Sequence, residues 1–330
     1  MVTSWHSSLR CEAYNDEQQL ASIFEDILKA NIMTIRLANA PVSWGIYEFE
    51  GTAQKYTFQR VLSEIKSTGY DALELGPWGF LPTDAEVLKA ELDAHSLKLL
   101  SSFVPVNFAD ASSLDSGEAH ALKVGRLLKD LDAVCIVLAD DSGTIPELVQ
   151  NAGQRQGSYM TDAQWDVYAA GVNRIARTIY NELGLRVAFH HHCAGLVETP
   201  EETRKLLELT DPDLVGLCLD TGHYHYAGGD AVEAIREFGK RVTYLHLKDC
   251  DAKVREQAKA EHLDYFAATA AAVFCELGQG EVDFPGVIAE MEKLGYDGWA
   301  IVEQDVFVDD LDAPRESAAR NREYLRSIGL

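Results

Sequence analysis

The chain has 330 residues, with 29 Lys and Arg against 53 Asp and Glu, a formal net charge of −24. So acidic a balance leaves no basic face to neutralise phosphates and argues against a nucleic-acid partner. The hydrophobic fraction of 47% suits a large globular core. No stretch approaches the roughly 18 uninterrupted apolar residues of a membrane-spanning helix, so no membrane partner is expected.

Taken in chain order, residues 1–32 look unlike the rest and read as an N-terminal extension. Residues 16–29 fit one amphipathic helix, with Leu20, Ile23, Phe24, Ile27 and Leu28 on one face. Met33 would serve equally well as a natural start. The first residues, Met1 to His6, lack a basic region followed by an apolar core, so a secretory signal is not expected.

From Thr34 the chain alternates strand and helix. Strand-like runs fall at 35–40, 72–75, 97–104, 134–139, 185–190, 214–220, 242–247 and 299–303. Helical stretches follow at 56–68, 84–95, 119–131, 161–183, 200–209, 231–238, 285–294 and 313–328. Eight βα units in succession favour an α/β (β/α)8 TIM barrel over an open sheet, with residues 33–330 as the catalytic domain. Two long segments, 140–160 and 250–279, fall on the loop side where barrel active sites sit and are candidate lids.

Six cysteines, Cys11, Cys135, Cys193, Cys218, Cys250 and Cys275, form no close pairs. Cys135 and Cys218 fall inside strand-like runs, where a reduced Cys behaves as a small hydrophobe. A reducing cytoplasm is the expected setting.

The chemistry is concentrated at strand ends. Four short runs rich in Val, Ile and Leu end in His190, Asp220, His246 and Glu303. In a barrel these ends meet at one rim, and a mixed N/O set of that kind suits a divalent transition metal. The set leaves the ion open among manganese, cobalt, iron and zinc, with manganese or cobalt preferred. His190-His191-His192 follow the fifth strand. Alternation puts His190 and His192 on one side and His191 on the other, making His192 a second ligand or a substrate contact.

Asp220 is followed by His223, a substrate-facing donor, and by His225, a weaker candidate; the alternative makes Asp220 a helix N-cap. Lys248 shares a side with His246 and would polarise a carbonyl or hold an anion, unless it forms only a surface pair with Asp249. In Gly278-Gln279-Gly280-Glu281 the glycines offer a weak phosphate-cradle signal. A turn holding Glu281 near the site is the better reading, with Asp283 capping the next helix. Glu74, Trp44 and Trp78 would supply a polar contact and an aromatic wall for a small polyol, and the two Trp serve equally well as packing.

These residues resemble the sugar isomerase/epimerase superfamily of xylose-isomerase-like TIM barrels, and within it the inosose (2-keto-myo-inositol) dehydratases. The points of resemblance are His190–His192, Asp220-Thr221-Gly222-His223 with Gly228-Gly229-Asp230, and His246-Leu247-Lys248-Asp249. Gly278-Gln279-Gly280-Glu281 and Gly298-Trp299 through Glu303-Gln304-Asp305 complete them. The resemblance is strong over 160–305, looser over 34–135, and absent from 1–32. It implies a metal-dependent enzyme acting on a small polyol or keto-sugar, in a fold that commonly forms homo-oligomers.

The superfamily usually has Glu where the fifth strand ends, whereas this chain has His190. That departure makes epimerisation between two Glu residues less natural. Dehydration of a keto-cyclitol through an enediolate is therefore the leading expectation. Glu303 or a nearby His would take the proton, and His223 or His192 would protonate the departing hydroxyl. A sugar or inosose isomerase or epimerase using the same enediolate is the close rival. A phosphodiesterase on the same barrel and a non-catalytic sugar-binding subunit are the more distant ones.

Overall fold

The computed structural model describes residues 35–47, 56–155, 157–307 and 310–330. The helix read over 16–29 and the alternative start at Met33 lie outside them. The elements in chain order are β1 (Arg36–Asn39), α1 (Phe58–Ser67), β2 (Ala72–Leu73), α2 (Ala85–His95), β3 (Lys98–Leu99), β4 (Phe103–Val106), α3 (Leu114–Asp130) and β5 (Ile136–Asp140). They continue with α4 (Pro146–Gln150), α5 (Asp162–Leu183), β6 (Val187–His190), α6 (Pro200–Leu209), β7 (Val215–Asp220), α7 (Thr221–Tyr226), α8 (Ala231–Phe238) and β8 (Val242–Leu247). The chain closes with α9 (Ala252–Glu261), α10 (Tyr265–Ala270), α11 (Phe284–Lys293), β9 (Trp299–Val302) and α12 (Ala313–Ser327).

All the strand pairings are parallel, and β9 pairs with both β1 and β8. The strand expected at 97–104 is in two pieces. β3 pairs with β2 and β4 pairs with β5, so together they form the third stave and close an eight-position barrel. Across the break Leu100 O accepts from Val134 N at 2.8 Å and Ser102 O from Val137 N at 3.0 Å. The interruption falls where Ser101 turns its hydroxyl inward, 2.7 Å from Glu74 Oε1 and 2.8 Å from the Tyr244 hydroxyl. Helix α3 begins at Leu114, a turn earlier than the sequence pattern suggests, because Leu114 is itself buried in the core.

Side-chain alternation explains where the core divides. Ala188, Cys218, Tyr244 and Ile301 point into the barrel and pack with Ala38, Ala72 and Val137. Their strand neighbours Phe189, Leu217, Leu219, Leu245 and Val302 point outward and join the larger core beneath the helices. Helix starts are fixed locally. Thr161 with Gln164 and Thr199 with Glu202 form capping boxes on α5 and α6, and Asp283 caps α11 as expected.

The two long segments meet. Helix α4 packs against α10, Gln150 Nε2 donates to His262 O at 3.0 Å, and Ala152, Cys193, Tyr226, Cys250, Tyr265 and Phe274 share a small apolar cluster. Among the described residues no helix is long and apolar enough to cross a membrane.

Candidate metal centre

Alternation continues past the barrel's inner apolar layer and builds the site. Two residues beyond Ala188, Cys218, Tyr244 and Ile301 stand His190, Asp220, His246 and Glu303. One ligand-type atom of each lies within 4.8 Å of the others, and all four side chains are buried. His190 Nε2 is 3.6 Å and His246 Nδ1 3.8 Å from Asp220 Oδ2, and His246 Nδ1 is 3.2 Å from Glu303 Oε2. Asp220 does two things at once: its Oδ1 accepts from His223 N at 2.8 Å and caps α7, while its Oδ2 has no hydrogen-bond partner. Asp220 Oδ2, which has only the Lys248 ammonium 3.2 Å away, and His246 Nδ1 lie 3.8 Å apart in a buried polar gap, and neither makes a hydrogen bond. Buried polar atoms normally find partners. Two imidazoles and two carboxylates aimed at one point therefore fit a divalent cation.

Supporting contacts orient these donors. His191 faces away from the cavity, its Nε2 accepting from Asp220 N at 3.2 Å. Glu74 Oε1 is 3.1 Å from His246 Nε2 and is also held by Ser101. Such outer partners fix ring orientation at metal sites.

Above the four donors lies a further layer: His192, Lys248 and Asp305, each two residues beyond a lower-layer residue. The Lys248 ammonium is 3.2 Å from Asp220 Oδ2, 3.2 Å from Glu303 Oε2 and 2.9 Å from Asp305 Oδ1. Burial alone would lower Lys248, but the three carboxylates raise it well above the ordinary lysine value. Burial likewise opposes ionisation of Glu303, which His246 and Lys248 nonetheless hold at about 2. Asp220 is held well below the usual carboxylate range against its burial, chiefly by Lys248 and His223. His192, His223 and Asp305 also converge, but Lys248 Nζ sits 3.1 Å from His223 Nε2 and 2.9 Å from Asp305. His223 Nε2 and Asp305 Oδ1 thus already have a hydrogen-bond partner, whereas Asp220 Oδ2 and His246 Nδ1 of the tetrad have none, so this second cluster reads as a hydrogen-bond network.

A cavity opens beside these layers. His190, Glu303 and Glu74 form its floor on one side, His192, Lys248, Asp305 and Tyr265 its upper wall, and Val42, Phe103 and Pro105 an apolar face. Asp141 and Ser142, from the segment after β5, give a polar corner. Tyr265 comes from α10, and its hydroxyl donates to Asp305 Oδ2 at 3.2 Å. Burial pushes His192 well below the ordinary histidine value, so it is neutral. Its Nδ1 is 2.6 Å from Cys193 O, which places the proton on Nδ1 and leaves Nε2 bare.

Of the residues expected to contact substrate, several do not reach this cavity. Trp44 is buried behind the barrel wall, its Nε1 donating to Glu64 Oε2 on α1 at 2.7 Å, because the 3-10 turn Pro41–Trp44 rotates it outward. Trp78 packs on the outer core with Lys123 Nζ 4.5 Å from its ring centre. His225 and Glu281 pair with each other at 3.1 Å, and Arg255 joins Glu281 at 3.0 Å, pinning α9 to α7 outside the cavity. His223 is fully buried behind the wall, its ring 4.0 Å from that of His192.

The glycines of Gly278-Gln279-Gly280 cradle a carboxylate of the chain itself. Asp249 accepts from the backbone N–H of Cys250, Gly278, Gly280 and Val282 at 2.8–3.1 Å. Lys248 and Asp249 are therefore both buried and separately engaged, with no surface pair between them. The sequence pattern assigns no role to Asp305, Tyr265, Asp141 or Ser142, although Asp305 closes the Glu303-Gln304-Asp305 motif. Of these only Asp305 carried a signal, two residues after Glu303 on the same strand side.

The family described as xylose isomerase-like TIM barrel matches residues 62–328. The chain belongs to that family. Its relatives include an inosose dehydratase of Geobacillus kaustophilus, 33% identical over 279 residues, covering 84% of this chain and 90% of the relative. An inosose dehydratase of Lacticaseibacillus casei is 30% identical over 294 residues, covering 89% and 97%. Among solved structures of the same fold, D-psicose 3-epimerase from Clostridium cellulolyticum H10 superposes with a TM-score of 0.67 at 15% identity, covering 89% of this chain and 99% of that one. The IOLI protein, solved with a bound zinc atom, gives 0.62 at 16% identity, covering 89% and 98%.

Proposed function

We propose that the protein is a metal-dependent dehydratase acting on a keto-cyclitol such as 2-keto-myo-inositol through an enediolate. The observation that carries this reading is likeness to inosose dehydratases over most of the chain, combined with a buried donor tetrad of which His190 and Glu303 reach the wall of a cavity. His190, Asp220, His246 and Glu303 would hold a divalent ion, with manganese or cobalt preferred and zinc or iron also compatible with the donors. When bound, the ion supplies a Lewis acid that polarises the substrate carbonyl.

The remaining chemistry belongs to side chains. Glu303 is one of the four donors that would hold the ion, so it is not free to carry a proton. His192, neutral with a bare Nε2 on the cavity wall, is the better proton carrier. It takes the proton α to the carbonyl as the C–H bond breaks. The resulting imidazolium returns that proton to the β-hydroxyl as the C–O bond breaks and water leaves. General acid–base help of this kind is worth about 10²–10⁴-fold. Lys248 stays protonated and offsets the negative charge that develops on oxygen. His223 positions His192 and Lys248 from behind. Asp305, fixed by Lys248 and Tyr265, completes the upper wall.

The close rival, an isomerase or epimerase, would stop after proton return to carbon. Turnover in deuterated water separates the two. Dehydration gives a product lighter by one water. Isomerisation conserves the formula and leaves deuterium on carbon, and that result would displace the dehydratase reading.

A further inference from the structure

Directly beneath the four donors the barrel holds a donor that the reaction above does not use. Cys218 precedes Asp220 by two residues on β7, so both side chains point into the barrel in successive layers. Its Cα pairs in register with that of His190 on β6, and on its other side with Tyr244, two residues before His246 on β8. The thiol is fully buried. Its sulfur lies within 4.8 Å of a ring nitrogen of His190 and of one of His246. Both histidines also carry a buried Nδ1 with no hydrogen-bond partner. His190 and His246 thus belong to two overlapping donor sets, an upper one completed by Asp220 and Glu303 and a lower one completed by Cys218.

We propose that these two sets sort divalent ions by hardness: the upper set takes manganese, and the lower set captures thiophilic ions such as zinc or cadmium one layer deeper. Carboxylate oxygens favour hard ions, while thiolate sulfur with imidazole favours zinc. Capture by the lower set forms an S–metal bond as the S–H bond breaks, and the proton leaves to solvent. Because both sets need the same two imidazoles, only one is filled at a time. A thiophilic ion therefore excludes manganese from the upper set. The inference stands on donor positions and is independent of which substrate the enzyme takes.

The test uses the full chain stripped with chelator and titrated with Cd2+, a probe that reports bonding to sulfur by ultraviolet charge-transfer absorption. The expected result is a band that grows to one equivalent in the wild type and is missing in Cys218→Ser. In parallel, the ratio of Zn2+ to Mn2+ affinity should fall in Cys218→Ser by on the order of tenfold or more, the size seen when even an outer partner of a metal site is lost. Mn2+ affinity itself should stay unchanged. Bound Cd2+ without a band in the wild type, a band that survives in Cys218→Ser, or equal loss of Zn2+ and Mn2+ affinity would each overturn the proposal. Where Cys218→Ser folds poorly, Cys218→Ala, which keeps a small apolar side chain in the inner barrel layer, gives the same comparison, and a band that survives in it would equally overturn the proposal.

Discussion

Replacing Lys248 with Met removes an ammonium that lies within 3.2 Å of oxygens from Asp220, Glu303 and Asp305. Met keeps most of the aliphatic stem, so the change is chiefly one of charge. Breaking a buried ion pair by removing one partner costs about 3–5 kcal/mol, because the remaining charges stay buried and uncompensated. Unfolding entropy of about 2.1 cal/mol/K per residue gives about 0.7 kcal/mol/K for a chain of this length, so the metal-free variant should melt about 4–7 °C below the wild type. A divalent ion changes the comparison. In the wild type it must approach Asp220 and Glu303 with an ammonium already beside them. At an effective dielectric of about 20, a like-charge contact near 4 Å costs about 4 kcal/mol per unit-charge product, so removing the ammonium strengthens ion binding. Stabilisation by a ligand grows with its affinity. Saturating Mn2+ should therefore raise the Tm of Lys248→Met by more than it raises that of the wild type, while turnover is lost. Thermal unfolding in chelator and in Mn2+ measures all four values. Equal metal-induced shifts in the two proteins, or a metal-free variant as stable as the wild type, would refute the account of Lys248 as the cation that holds the donor cluster together.

His192→Gln should lower kcat by about 10²–10⁴-fold while leaving bound metal per chain unchanged, as read by steady-state kinetics and metal analysis. Asp249→Ala should cost several kcal/mol in urea unfolding. Two of its four backbone donors, those of Cys250 and Val282, are buried and would lose about 1–3 kcal/mol each. Burial pushes Asp140 up to about 6, against the pull of the Leu196 and Asp141 N–H groups. Its folded value exceeds its unfolded one, so its contribution is fully present below about pH 4 and is lost as pH rises through about 6, a swing of roughly 3 kcal/mol. Asp140→Asn should flatten that part of the stability–pH curve, and an unchanged slope would contradict the assignment.

The strand-end donors were legible because two simple periodicities coincide. Short runs of Val, Ile and Leu mark buried parallel strands, and a period of two stacks Ala188, His190 and His192 on one side of the same strand. The same rule puts Asp305 above Glu303. What sequence could not reveal depends on long-range partners. Nothing near Trp44 announces that Glu64 will take its indole N–H. The glycines at 278 and 280 look like a ligand cradle until Asp249, some thirty residues earlier, is seen to fill it. Tyr265 lies in a segment whose place on the loop side was readable, but its aim at Asp305 follows from packing of α10 against α4. The break in the third stave arises from inward hydrogen bonds of Ser101 that no local pattern encodes.

The central claim is that His190, Asp220, His246 and Glu303 hold the ion on which dehydration depends. Its most direct test is the product mass from 2-keto-myo-inositol, using chelator-stripped protein with and without added Mn2+ or Co2+. The account predicts a product lighter by one water only when the ion is present, and no such product from Asp220→Asn at any ion concentration tested. Full dehydration by the stripped protein, or by Asp220→Asn, would contradict it.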